Sequence, residues 1–196
     1  MKKLTIGLLI ISLLATFSIV GFGATASNEV TIQIPELTLI GLNNGTGGTA
    51  VTLTAGEPPA PGELPSDNAN SDNTLDYLVI SGSGNSYEIT AKLDTAISGR
   101  NYELYVNTLN SDVPAQWEGG DGGDAGTGTS DTTISTGVNL STTAQDFITG
   151  ITSPVATGNE GATLKYRLHF DSTLGVPAYD DTGTTYTVTY TLTTTS

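Results

Sequence analysis

From Tyr186 to Leu192 the chain alternates without a break: every second residue is large and apolar, and every residue between is threonine. A period of two belongs to a strand with one face buried and one wet, because successive side chains point to opposite sides. The same period recurs in Val30-Ile32-Ile34, in Tyr87-Ile89-Ala91-Leu93 and in Leu164-Tyr166-Leu168-Phe170. No stretch after residue 26 carries a convincing helical stripe. The remainder is rich in Thr, Gly, Ser and Asn, which disfavour helices and supply strands and turns. A chain built this way has to solve its packing with sheets.

The pattern predicts an all-β fold of about nine to ten strands, an immunoglobulin-like antiparallel sandwich of two sheets, with a β-barrel or jelly roll as the alternative. The runs "LDYLVISG", "SYEITAKL" and "NYELYVNTL" read as an antiparallel meander, the first two joined by a tight hairpin at "SGSGN". Ala50–Ala55 ("AVTLTA") reads as a short strand. The proline-rich stretch from Gly56 to Thr74 has no periodicity and reads as one long loop. The closing strand should be central or well paired, since an apolar edge invites aggregation.

Residues 1–26 read as a signal peptide. Lys2 and Lys3 precede an apolar run from Leu4 to Val20, and Ala24-Thr25-Ala26 supplies an A-x-A cleavage site, so the exported chain begins at Ser27. Residues 27–196 then form one domain, whose N-terminal strand spans 29–42 with a break at Pro35. With Lys2 and Lys3 gone, four cations stand against twenty acids, a net charge of −16. That charge opposes nucleic acid and anionic lipid, and no second run is long enough to span a membrane. The chain has no cysteine, so packing and hydrogen bonding replace the disulfides common in exported domains.

Catalytic chemistry finds little to work with. His169 is the single histidine, and it reads as a surface residue beside Lys165 and Arg167. No nucleophile elbow, zinc ligand set or phosphate loop is present. The expectation is that the chain is not an enzyme and requires no cofactor. Calcium is the one ion its residues suit, because hard cations take oxygen ligands from loops. Glu118, Asp121, Asp124 and Asp131 lie in a glycine-rich loop, and Asp67, Asn68, Asn70, Asp72 and Asn73 form a second oxygen-rich stretch. Trp117, with Tyr105 or Tyr179, could stack on a sugar. Asn44 and Asn139 stand in N-x-[ST] sequons.

The two ends of the exported chain both alternate cleanly. One subunit could lend Val30, Ile32 and Ile34 to the sheet of the next, with "LKYRLHF" or "YTVTYTL" as acceptor. Such head-to-tail contacts propagate into a filament. The simpler reading of the same pattern is that Val30–Ile34 pairs within its own domain. The leader, the first strand with its "IPE" turn, "LSTTAQDFITGI", "LKYRLHF" and "TYTVTYTLT" resemble small exported bacterial or archaeal surface proteins. The closing strand resembles the last strand of fimbrial subunits of the spore-coat-U and chaperone–usher kinds. That resemblance implies an immunoglobulin-like sandwich that self-associates by strand donation into a pilus-like fibre or surface layer. The chain departs from those subunits in lacking their cysteine pair. The other class of function open to it is a secreted carbohydrate- or surface-binding module, calcium-dependent if the acidic loop is filled.

Overall fold

A computed structural model describes residues 27–82, 84–108, 124–125, 137–157, 161–178 and 182–195. Its described residues are all-β, with ten strands and no helix. In chain order these are β1 (Leu37–Leu42), β2 (Asn68–Ile80), β3 (Ser86–Leu93), β4 (Glu103–Asn107), β5 (Asp124–Ala125), β6 (Val138–Asn139), β7 (Gln145–Thr152), β8 (Val155–Ala156), β9 (Ala162–His169) and β10 (Val188–Thr195).

Two antiparallel sheets result. One runs β1-β2-β9-β4-β6, with β8 also paired to β2; the other runs β10-β3-β7-β5. The core lies between them. Leu75, Tyr77 and Val79 of β2, Leu164 and Tyr166 of β9 and Val106 of β4 come from the first sheet. Tyr87, Ile89, Ala91 and Leu93 of β3, with Phe147, Ile148 and Ile151 of β7, come from the second. Each set occupies alternate positions of its strand, as the period of two requires, except in β7. There Ile89 pairs Ile148 while Thr90 pairs Asp146, so Phe147 is an extra residue. That bulge turns two consecutive apolar side chains inward. A second irregularity lies beside Gly150, whose φ of 75° suits glycine.

β2, β3 and β4 alternate between the two sheets, which corrects the expected meander. β2 and β4 belong to the first sheet and β3 to the second, so the connection at 81–85 crosses the sandwich and does not close a hairpin. The physical reason is the core itself: β2 and β3 bury their apolar faces against each other, which neighbours in one sheet cannot do.

Two further expectations are corrected. Residues 50–55 form no strand, although Val51 and Leu53 still pack half-buried on the core. The proline-rich loop is shorter than the sequence suggests, because β2 already begins at Asn68 and pairs β9 across a bulge between Asn70 and Asn73. The closing strand is well paired, all eight residues with β3, but it is not central: among the described strands it ends its sheet.

Two compact units divide the chain, Met1–Ile34 and Pro35–Ser196, and both sheets belong to the second. Of the expected strand over 29–42, only Leu37–Leu42 is a strand. Residues 27–34 of the first unit lie outside any strand. No helix among the described residues is long and apolar enough to cross a membrane.

Candidate assembly site

Among the described strands, β1 ends the first sheet and β10 the second, at the ends opposite β6 and β5, and each is paired on one side. These two edges lie on the same side of the sandwich. They flank a cavity of 370 Å³ lined by Glu36, Leu37 and Thr38, by Tyr87, and by Leu192, Thr193 and Thr194. The Tyr87 hydroxyl reaches out of the core to donate to Glu36 Oε1 at 3.3 Å.

The apolar residues along this side are incompletely covered. Ile40 and Leu42 of β1 and Val188, Tyr190 and Leu192 of β10 pack against the core but are only half-buried. Leu37 and Leu39 are 38% and 53% exposed. By contrast, the inward residues of β3 are fully covered. The sandwich is sealed at its middle and open at this margin.

Paired tyrosine hydroxyls cross this margin. Tyr166 of β9 and Tyr190 of β10 share a hydrogen bond of 2.9 Å, and Tyr102 and Tyr186 share one of 3.1 Å. Tyr190 also packs on Phe147, ring centroids 5.6 Å apart. Burial raises the Tyr166 hydroxyl above its usual pKa. Burial, with Tyr166 beside it, raises Tyr190 well above 10.0. Both remain neutral donors and acceptors through the physiological range.

A further set of exposed apolar residues lies in the first unit. Val30, Ile32 and Ile34 are 74%, 82% and 71% exposed. Three branched apolar side chains at alternate positions of a segment outside any strand are a poor ending for a finished fold. Of the two acceptors expected from the sequence, β9 is excluded. It is bound by β2 on one side and β4 on the other, so its backbone groups are already used. β10 is paired on one side only among the described strands.

The remaining candidate residues fall elsewhere. Glu118, Asp121, Asp131, Trp117 and Tyr179 lie outside the described residues. Asp124 starts β5 and pairs Thr149. The second oxygen-rich stretch is no open loop: Asn68 begins β2, and Asp67 and Asn73 are engaged within the fold. Asn73 is buried, accepting from Thr49 N at 2.6 Å and Asn43 Nδ2 at 2.8 Å while donating to Thr49 O at 2.9 Å. Asp67 accepts from Phe170 N at 3.1 Å and lies 2.8 Å from His169 Nδ1. Among the described residues no group of three or more His, Cys, Asp or Glu is placed to hold a metal ion.

His169 is therefore a half-buried partner of Asp67, tying the start of β2 to the end of β9. Tyr105 meets its ring edge-on at 5.8 Å. The Tyr105 hydroxyl donates to Glu103 at 2.7 Å, and burial together with that carboxylate pushes its pKa up to about 12. Asn139 Nδ2 donates to the other Glu103 oxygen at 2.9 Å. This polar patch holds β4, β6 and β9 in register on the outer face.

Sequence reasoning missed the cavity residues Glu36, Leu37, Thr38, Thr193 and Thr194. Their own alternation was visible, but not the fact that β1 and β10 would end neighbouring sheets. No protein-family profile, curated protein or solved structure matches this chain.

Proposed function

We propose that the protein is an exported structural subunit that self-associates into a filament or surface layer by donating its N-terminal segment to the open margin of the next copy. One observation carries this reading: Val30, Ile32 and Ile34 stand more than 70% exposed, while among the described strands β1 and β10 each pair on one side and leave half-covered apolar residues between them. Main-chain hydrogen bonds to a free edge would give affinity, and alternate side chains filling the margin would give specificity. Full burial of each branched side chain is worth about 1.5–3 kcal/mol, so each matters to assembly at the level of tenfold or more.

The test is the chain from Ser27 onward, viewed by negative-stain microscopy beside Ile32→Asp. Fibres or sheets from the parent and dispersed particles from the variant support the reading. A parent that stays monomeric at high concentration overturns it. Glycan binding by that monomer, read as a raised melting temperature, would favour a secreted carbohydrate-binding module, for which the exposed side of the Tyr105–His169 pair is the described aromatic surface.

A further inference from the structure

We infer that Ser27–Ile34 of a second copy runs antiparallel along β10, with Ile34 opposite Val188, Ile32 opposite Tyr190 and Val30 opposite Leu192; this deepens the strand-donation reading and rests on it.

The free edge of β10 has a definite parity. Val188 pairs with Leu93, yet the Leu93 amide donates to Ser141 O at 2.7 Å, away from β10. One residue further on, Asp94 N donates to Thr187 O at 3.0 Å. In an antiparallel ladder the backbone groups of successive residues point to opposite sides. Thr189, Thr191 and Thr193 therefore spend theirs on β3. Val188, Tyr190 and Leu192 present theirs at the open margin, and these are also the residues whose side chains face the core.

A visitor has two possible polarities. In an antiparallel pair, directly opposite residues exchange both hydrogen bonds and share a face. Val30, Ile32 and Ile34 would then point inward and also supply the bonding N–H groups. Thr31, Gln33 and Pro35 would turn theirs away. In a parallel pair the slanted bonds come from the residues in between. With the apolar side chains still inward, Thr31, Gln33 and Pro35 would have to donate, and Pro35 has no N–H. The position of Pro35 selects the antiparallel arrangement.

Length selects the register. Eight residues lie between the expected cleavage after Ala26 and Pro35, and β10 spans eight residues, Val188–Thr195. Ile34 opposite Val188 places Ser27 opposite Thr195, so the segment covers the strand end to end, about 27 Å at the rise of an extended chain. Val30 then lies at the level of the cavity beside Leu192.

The chain has no cysteine of its own, which makes disulfide trapping clean. Gln33→Cys with Thr189→Cys places two exposed residues in a non-hydrogen-bonded pair, with Cα atoms about 4.5 Å apart, within disulfide range. Gln33→Cys with Thr191→Cys is the corresponding pair for a parallel visitor that sets Val30 opposite Val188 and Ile34 opposite Leu192. Under mild oxidation the first variant should give a ladder of covalent multimers on a non-reducing gel, and the second none. A ladder from the second variant alone overturns the polarity while leaving donation standing. Fibres that form with no ladder from either variant overturn β10 as the acceptor. A disulfide closed within a monomer overturns donation itself.

Discussion

Tyr190 concentrates the chemistry of the open margin in one side chain. Its ring packs on Phe147, its hydroxyl meets that of Tyr166 across the two sheets, and its backbone faces the free edge. Burial raises the pKa values of both tyrosines above 10.0, so the fold favours their protonated forms. Their contribution to stability is complete below pH 10 and is lost as the pH rises from 10 through the raised values. The melting temperature should fall across that alkaline window, and Tyr190→Phe should flatten the fall. An equally steep fall in the variant would show that this pair is not responsible. At neutral pH the same substitution leaves Tyr166 without its partner and should cost about 1 kcal/mol in a denaturant titration. A core residue behaves differently: Ile89, fully buried in β3, should lose about 2–5 kcal/mol on change to Ala, whatever the pH.

Strands, taken one at a time, are well written in the sequence; their neighbours are not. The faces of β3 and β9 follow directly from alternation, because burial on one side is a property of the strand alone. Pairing is set by residues far away in the chain. Nothing local in "SGSGN" separates a hairpin within one sheet from a crossing between two. Nothing in Val51 and Leu53 reveals that they pack on the core without a ladder. The bulge in β7 was equally hidden, since Phe147 and Ile148 break the period that would have identified their strand. The second irregularity of β7 is testable. Gly150 sits at φ 75°, and Gly150→Ala should lower stability by about 1–2 kcal/mol in a urea titration. No loss would mean that the backbone there relaxes to a conformation open to any residue. The proposed assembly site was half legible: Val30, Ile32 and Ile34 stood out by pattern, whereas the proposed acceptor depends on β10 ending its sheet among the described strands.

At the scale of the whole molecule, one unit carries the fold and the other carries exposed apolar side chains. Removing residues 27–34 should therefore leave the melting temperature of an isolated subunit nearly unchanged while abolishing assembly. Scanning calorimetry on dilute samples checks the first part, and a large drop would mean that the segment belongs to its own subunit's core. The most direct measurement joins the two parts again. A fluorescent peptide of residues 27–36 is titrated into the subunit lacking 27–34, and anisotropy is read. Saturable binding of one peptide per subunit is expected, abolished when Ile32 of the peptide is replaced by Asp. No binding, from a subunit shown to be folded, would contradict strand donation.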